Sequence, residues 1–147
     1  MITREMWQLI ERNTVAFVAT VTPEGKPAVS PKGTTVVIDE TTIAMGDLRS
    51  PGTVRNVTAN PAVEINFLDV LSRKAVRLAG TARYVRGTAD EFARLLPRFD
   101  RWSALSPRLR GILVVDVTST HLILSPMYDV GAEEDGLRRQ WRSFYGS

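Results

Sequence analysis

The sequence predicts a mainly β domain, a small antiparallel barrel of six or more strands with short helices on its rim. Apolar and β-branched runs, such as Val15 to Val21 and Ile112 to Val117, have the composition of buried strands. Turn residues such as Thr22 to Gly25 join consecutive runs, so the first half of the chain is typical of an antiparallel meander. Closing the sheet into a barrel would also protect its edge strands.

The first half of the chain is predicted to contain a helix over 3–12, strands over 15–21, 27–39 and 42–46, and a helix over 51–59. The first helix has apolar residues at helical spacing, and Thr3 is its candidate cap. In the long second strand, Pro27 and Pro31 would each remove a ladder donor, which predicts a sheet edge or a bulge near its start. Asn60 and Pro61 end the second helix, because proline cannot continue it.

The second half is predicted to contain strands over 63–68, 75–86 and 112–117, a helix from Thr88, and a helical tail over about 127–147. Gly80 indicates a bulge in the 75–86 strand. Residues 121–124 are either the hairpin partner of the 112–117 strand or its continuation. Apolar residues at helical spacing support both helices, with Phe92, Leu95, Leu96 and Phe99 in the first and Leu137, Trp141 and Phe144 or Tyr145 in the tail.

Size and composition restrict the possible functions. The 147 residues, 44% of them hydrophobic, are enough for one domain over 1–147, and no linker or repeat divides them. There is no cysteine, which excludes disulfides and thiolate metal sites. The single histidine, His121, argues against a Ser-His-Asp triad or a histidine-rich metal site, and we interpret it as a structural residue near a turn. The acidic run 133–135 is interpreted as a helix start, so no metal site is predicted.

Charge and the N-terminal segment bear on partners and location. The net charge of +3 is mild and no dense block of Lys and Arg occurs, so binding of nucleic acid is only weakly indicated. Residues 1–13 lack the apolar core of a signal peptide, and no apolar run approaches the roughly 20 residues that span a bilayer. We therefore expect a cytoplasmic protein that does not enter a membrane.

The stretch from Gly46 to Pro61 carries the strongest indication of a binding site. Ser50 fits a helix cap and Pro51 fits the first helical position, and a helix N-terminus favours an anion. Gly52 is unfavourable for the helix itself, since glycine costs about 1 kcal/mol relative to alanine. It makes sense if a phosphate approaches the backbone closely; the alternative is an ordinary capped helix start.

The order of these segments resembles a known family. A helix is followed by VAFVATVTPEGKPAVSPKGTTVV, a third strand, GDLRSPGTVRNVTANPAVEINF and RKAVRLAGTARYV. In this order they are similar to the pyridoxamine 5′-phosphate oxidase-like, FMN-binding split β-barrel family, over roughly residues 3–124. The resemblance implies a six-stranded antiparallel split β-barrel and a homodimer with FMN held at the interface between subunits.

The resemblance also implies the site residues. On the second strand these are Ser30, Pro31, Lys32 and Gly33, near the flavin, and along the phosphate and ribityl side they are Asp47, Arg49, Ser50, Gly52, Thr53 and Asn56. A lysine near the ring would stabilise negative charge on it. The alternative for 30–33 is a bulged strand with a solvated lysine. No residue is assigned a catalytic role.

The resemblance further implies a flavin-dependent oxidoreductase that acts on an unidentified small molecule, with an electron donor such as NAD(P)H. The alternatives are a flavin carrier or sensor without turnover, an F420-dependent reductase on the same fold, and a basic barrel that binds nucleic acid. Pyridoxamine-phosphate oxidases carry an Arg-Lys pair at the helix start, where this chain has Gly52 and Thr53, and Arg49 is the candidate replacement. We therefore expect a small bacterial member of the family and not the B6 oxidase itself.

Two further segments allow two interpretations each. Arg73 and Lys74 form either a solvated turn or a contact to cofactor or substrate across the dimer. Trp102, among the arginines of 94–110, either packs on the domain or covers a flavin or an anionic substrate.

Overall fold

The computed structural model describes residues 1–146, which form one antiparallel sheet of seven strands flanked by α-helices. The strands are β1 Ala16–Val21, β2 Pro27–Lys32, β3 Thr35–Asp39, β4 Thr42–Asp47, β5 Ala62–Asp69, β6 Lys74–Arg86 and β7 Gly111–Leu124. The α-helices are α1 Arg4–Arg12, α2 Pro51–Ala59, α3 Asp90–Leu95 and α4 Glu134–Gly146. Three 3₁₀ segments lie at Leu96–Trp102, Ser106–Arg108 and Pro126–Val130.

A long ladder between β6 and β7 forms the spine of the sheet. The strand order is β2-β1-β5-β6-β7-β4-β3. β5 pairs with residues 74–81 of β6, whereas β4 pairs with residues 111–116 of β7, which lie opposite the other half of β6. The two wings of the sheet therefore attach to opposite halves of the ladder. This confirms the predicted mainly β, antiparallel split-barrel class.

The predicted strand over 27–39 is two strands, so the sheet has seven strands, one more than the six that the family resemblance implies. The chain bends at Gly33 and Thr34, so that β2 pairs with β1 and β3 pairs with β4. A hydrogen bond of 2.9 Å from the Gly46 N–H to the Thr34 carbonyl fixes the second half against β4. β2 lies at the sheet edge, as the two prolines within it predict.

The last strand is one continuous element. Residues 121–124 continue β7 and do not form a separate hairpin partner. The register shifts between Ala79 and Gly80, which confirms the bulge there. His121 pairs with Arg77 inside β7, three residues before the strand ends at Leu124, and its side chain is exposed.

The interior of the barrel is closed by α1. Thr3 caps this helix as predicted, because its Oγ1 accepts a hydrogen bond of 3.2 Å from the Met6 N–H. Met6, Leu9 and Ile10 are buried in the main core. A second cluster forms where Phe99, from the segment after α3, packs with residues of β7 and β4. The helix predicted from Thr88 is therefore short, and its apolar stripe continues through 3₁₀ structure.

Side chains of the C-terminal tail contact the end of β5 and the β5–β6 turn. Leu137 of α4 is buried, and the Arg138 guanidinium lies 2.7 Å from the Asp69 carboxylate. Arg73, in this turn, stacks its guanidinium 3.5 Å from the centre of the Trp141 ring. Within the described range, none of the helices is long and apolar enough to span a membrane.

Candidate functional site

A cleft of about 650 Å³ lies between β2 and the N-terminus of α2. Seven of the residues implied by the family resemblance line it, namely Ser30, Lys32, Arg49, Ser50, Gly52, Thr53 and Asn56. They come from an edge strand and from a helix start that is 18 or more residues away in sequence, and the bend at Gly33 brings the two together. The cleft has a volume in the range of small-molecule sites.

The helix start inside this cleft lacks a side-chain cap. Pro51 is the first residue of α2, as predicted, but the Ser50 side chain does not cap the helix. The Lys32 ammonium donates a hydrogen bond of 2.8 Å to Ser50 Oγ and so occupies this hydroxyl. Within residues 1–146 the N–H groups of Gly52 and Thr53 have no hydrogen-bond acceptor. Unpaired N–H groups and the positive end of the helix dipole favour an anion here.

Packing of the chain does not require glycine at position 52. A Cβ added to Gly52 would meet no atom closer than the Arg55 guanidinium, at 3.9 Å. Glycine at this position also leaves the backbone N–H groups of the first turn open to close approach. Among residues 1–146, no contact that needs a glycine compensates for its cost in the helix.

Polar side chains from both walls meet at the floor of the cleft. Ser30 Oγ lies 3.2 Å from Thr53 Oγ1, which ties β2 to α2 beside the Lys32–Ser50 hydrogen bond. Partial burial lowers the pKa of Lys32, and the negative charge of Asp47 opposes that shift. An ammonium in this position would attract an anionic group, because the partly buried site screens its charge less than water does.

The Asn56 side chain has unused hydrogen-bonding capacity. Its Nδ2 donates a hydrogen bond of 3.0 Å to Thr20 Oγ1, while its buried Oδ1 has no partner in the described chain. Turning the amide over would exchange the two atoms and leave the other one unpaired. A buried polar atom without a partner is costly, so the Asn56 amide has capacity for one further hydrogen bond.

Three of the residues implied by the resemblance do not line this cleft. Asp47 is buried, and its Oδ2 accepts a hydrogen bond of 2.7 Å from the Tyr84 hydroxyl. Pro31 and Gly33 line a neighbouring chamber of about 360 Å³ beside Trp102. This chamber shares three residues with the cleft, namely Lys32, Arg49 and Ser50. The two spaces therefore meet at the Lys32–Ser50 hydrogen bond.

The Tyr84–Asp47 hydrogen bond depends on a close approach at Gly111. The Tyr84 ring crosses β7 at this glycine, where an added Cβ would lie 2.3 Å from the hydroxyl oxygen. Burial and the bond to Asp47 raise the pKa of Tyr84 to about 12. Asp47 therefore acts behind the cleft wall, through its charge on Lys32, and not as a lining residue.

Sequence reasoning did not identify Arg55, which lines the cleft. Arg49 and Arg55 are both exposed, and within residues 1–146 neither forms an ion pair. Arg55 follows Gly52 by three residues, which places both on the same helix face. Helical spacing alone could have found it.

The structure places the two ambiguous segments in different surroundings. Arg73 stacks on Trp141, and the Lys74 ammonium lies 2.8 Å from Glu134, so neither is simply solvated and neither lines the cleft. Trp102 has its ring centre 6.2 Å from that of Phe99 and also borders the second chamber. Trp102 therefore both packs on the domain and borders a possible ligand space.

One protein family matches the chain in sequence. A sequence model of the family described as "Pyridoxamine 5'-phosphate oxidase" matches residues 2–123, from the segment before α1 into the end of β7. The match leaves out the tail with α4. A search of curated protein sequences finds no match.

Solved structures with the same fold have different ligands in their names. HupZ from Group A Streptococcus is 26% identical, with 85% of this chain and 96% of that chain covered and a TM-score of 0.72. An F420 reductase is 25% identical, with 78% of this chain and 94% of that chain covered and a TM-score of 0.61. An FMN-binding protein from Syntrophomonas wolfei is 16% identical, with 81% and 84% covered and a TM-score of 0.68, which shows the fold alone. Heme-binding proteins also share the fold, so the fold by itself does not decide the ligand.

Proposed function

The chain belongs to the pyridoxamine 5′-phosphate oxidase family, and from this membership we propose that it is an FMN-binding flavoprotein and a flavin-dependent oxidoreductase. The observation that carries the proposal is the α2 N-terminus, with the N–H groups of Gly52 and Thr53 unpaired at the cleft. This arrangement is suited to a phosphate monoester. Among the alternatives, F420 is supported by a 25% identical F420 reductase with the same fold.

The residues present fit FMN in three respects. The uncapped helix start and the open backbone at Gly52 suit the phosphate. Arg49 and Arg55 line the same cleft, in place of an adjacent Arg-Lys pair, and within residues 1–146 neither guanidinium group forms an ion pair. The unpaired amide atom of Asn56 suits a hydroxyl of the ribityl chain.

A second copy of the chain is the proposed partner. Val29 lines the cleft and is 65% exposed, and Phe17 on the adjoining strand is 46% exposed. Val15 and Leu68 extend this apolar surface across the outer side of the sheet. Exposed apolar patches of this kind mark association surfaces. Because the cleft opens beside it, a dimer formed on this surface would place each cofactor near the partner subunit.

A bound flavin would supply the transfer of hydride or electrons. The residues of this chain would bind and orient it, with the phosphate at Gly52 and Thr53 and a positive charge held at the cleft floor by Lys32. Asp47 would set that charge from behind the wall. No acid–base residue is assigned, and a flavin carrier without turnover would use the same contacts.

The decisive experiment is a visible absorbance spectrum of the purified protein, together with mass spectrometry of the cofactor released from it. FMN in the released fraction, or uptake of added FMN by colourless protein, supports the proposal. Release of heme or F420, or failure to take up FMN, would overturn it. Oxidation of NAD(P)H by the loaded protein then separates an oxidoreductase from a carrier, and size-exclusion chromatography tests the dimer.

A further inference from the structure

The cleft between β2 and the N-terminus of α2 is called the FMN cleft below. A second groove lies beside α2, apart from it, and we call this one the arginine groove. It has a volume of about 750 Å³ and runs between the side of α2, at Val54, and the junction of β6 and β7, at Arg86 and Arg110. It shares no lining residue with the FMN cleft. Its volume is in the range of small-molecule sites.

The two arginines stand on a rigid backbone. Arg86 pairs with Gly111 at the end of the β6–β7 ladder. The Gly87 N–H donates a hydrogen bond of 3.0 Å to the Arg110 carbonyl, and the Arg110 N–H donates one of 2.8 Å to the Asp47 carbonyl. The Cα positions of both arginines are therefore fixed by strand pairing and not by a loose loop. Because the backbone is already ordered, an anion bound by these two exposed side chains would have to order only the side chains themselves.

The acidic groups around the arginine groove interact with residues other than Arg86 and Arg110. Glu91 holds Arg83 by two hydrogen bonds of 2.7 and 2.6 Å, and the charge of Asp116 also acts on Arg83. The Asp47 carboxylate is buried and accepts a hydrogen bond from the Tyr84 hydroxyl. Within residues 1–146, Arg86 and Arg110 have no ion-pair partner, so the groove carries two uncompensated positive charges.

The remaining walls suit a ligand with an apolar part. Val54 and Tyr84 are half-buried and line the same groove as Arg86 and Arg110, and the exposed Thr88 lines it too. Paired arginines recognise phosphate through several charge-assisted hydrogen bonds. A nucleic-acid site would instead need a continuous basic stripe with aromatic platforms, and Glu91 and Asp116 interrupt any such stripe here.

We infer that the arginine groove binds a small organic phosphate, with the phosphate on Arg86 and Arg110 and the carbon skeleton against Val54 and Tyr84. The inference does not rest on FMN binding, because no residue is shared. The test is a titration of the full-length protein with phenyl phosphate, followed by backbone amide NMR shifts. Shifts are expected at Gly87, Thr88 and Arg110, whether or not FMN has been added.

Three variants give the matched comparison. Arg86→Ala and Arg110→Ala should each weaken phenyl phosphate binding about tenfold, the effect of one lost charge-assisted hydrogen bond. Arg77→Ala should leave it unchanged, because Arg77 lies on the same strand, 3.5 Å from Glu64, away from the groove. Inorganic phosphate should bind more weakly than phenyl phosphate, since it lacks the apolar part.

Each other outcome overturns the inference. Shifts confined to Gly52 and Thr53 would place the phosphate in the FMN cleft. Equal losses in the Arg86 and Arg77 variants would reduce the effect to general surface charge. Equal binding of phenyl phosphate and inorganic phosphate would remove the role of the apolar wall. Tighter, salt-sensitive binding of an oligonucleotide that depends on Arg86 and Arg110 would identify a nucleic-acid surface instead.

Discussion

The Gly52→Ala variant is expected to change stability and FMN binding in opposite directions. In the protein without FMN, the new Cβ would meet nothing closer than the Arg55 guanidinium at 3.9 Å, so no clash opposes the better helix propensity of alanine. We expect a gain of about 0.5 kcal/mol, which is roughly 1–2 °C in melting temperature for a domain of this size.

FMN binding should weaken in the same variant. A methyl group at position 52 would keep a phosphate away from the N–H groups of Gly52 and Thr53. The loss of one hydrogen bond to a charged group costs about 1.5–3 kcal/mol, which is a roughly 10- to 100-fold rise in Kd. Thermal unfolding without FMN and a fluorescence titration with FMN measure the two effects separately.

Gly136→Ala is the matched control. Gly136 also lies in the first turn of a helix, α4, and an added Cβ would likewise meet only an arginine, Arg139, at 3.9 Å. It should gain similar stability without any change in FMN affinity. If Gly52→Ala binds FMN as the wild type does, the phosphate does not approach this backbone. If it loses stability, the helix start is packed differently from the arrangement described above.

Three further predictions concern the cleft, its second layer and the tail. Thr53→Glu and Arg49→Ala should each weaken FMN binding at least tenfold and leave the circular dichroism spectrum unchanged. The first variant adds a negative charge at the helix start and the second removes a positive one. Wild-type affinity in both variants would mean that the phosphate binds elsewhere. Tyr84→Phe should destabilise the protein by about 1–3 kcal/mol in urea unfolding, because it leaves the buried Asp47 carboxylate without its donor. In a spectroscopic titration the Tyr84 phenol should ionise with a pKa of about 12. Because this pKa is raised, the stability that Tyr84 contributes is present below the ordinary tyrosine pKa and lost as pH rises through about 12. Although burial disfavours its charged form, hydrogen bonds and the charge of Arg138 lower the pKa of Asp69. The stability that Asp69 contributes is therefore present above the ordinary carboxyl pKa and lost as pH falls through the lowered value. Asp69→Asn should remove that part of the acid dependence of unfolding.

The elements that sequence reasoning located correctly are those with local signals. The α2 helix lies at Pro51–Ala59, where a proline at its first position and Asn60-Pro61 at its end mark both boundaries. The apolar run 112–117, which is the first part of β7, and the bulge at Gly80 were likewise predicted from local signals. The division of 27–39 into two strands was missed, because it depends on which neighbours each half pairs with. Only the tertiary structure specifies that β1 and β4, with which the two halves pair, lie in opposite wings of the sheet.

Seven of the ten site residues named from the sequence line the cleft, and the differences in local geometry have the same origin. Ser50 has the local signature of a helix cap, yet its hydroxyl instead accepts a hydrogen bond from Lys32, 18 residues earlier in the sequence. Asp47 is close in sequence to the cleft residues, yet Tyr84, 37 residues later, holds it behind the wall. Sequence proximity indicates which residues are near a site but not which of them face it.

The Lys32–Ser50 and Tyr84–Asp47 hydrogen bonds explain how the helix start would bind an anion without the adjacent Arg-Lys pair of the enzyme after which the family is named. If Ser50 capped α2, its hydroxyl would compete with a phosphate for the N–H groups of the first turn. Lys32 removes that competition by binding the hydroxyl, and Asp47 opposes the loss of charge that burial imposes on Lys32. The first turn is then left to a ligand, and the positive charge comes from Lys32, Arg49 and Arg55 around it. The anion binding that we propose for this cleft therefore depends on an arrangement of three segments, and the local motif at 50–53 is only one of them.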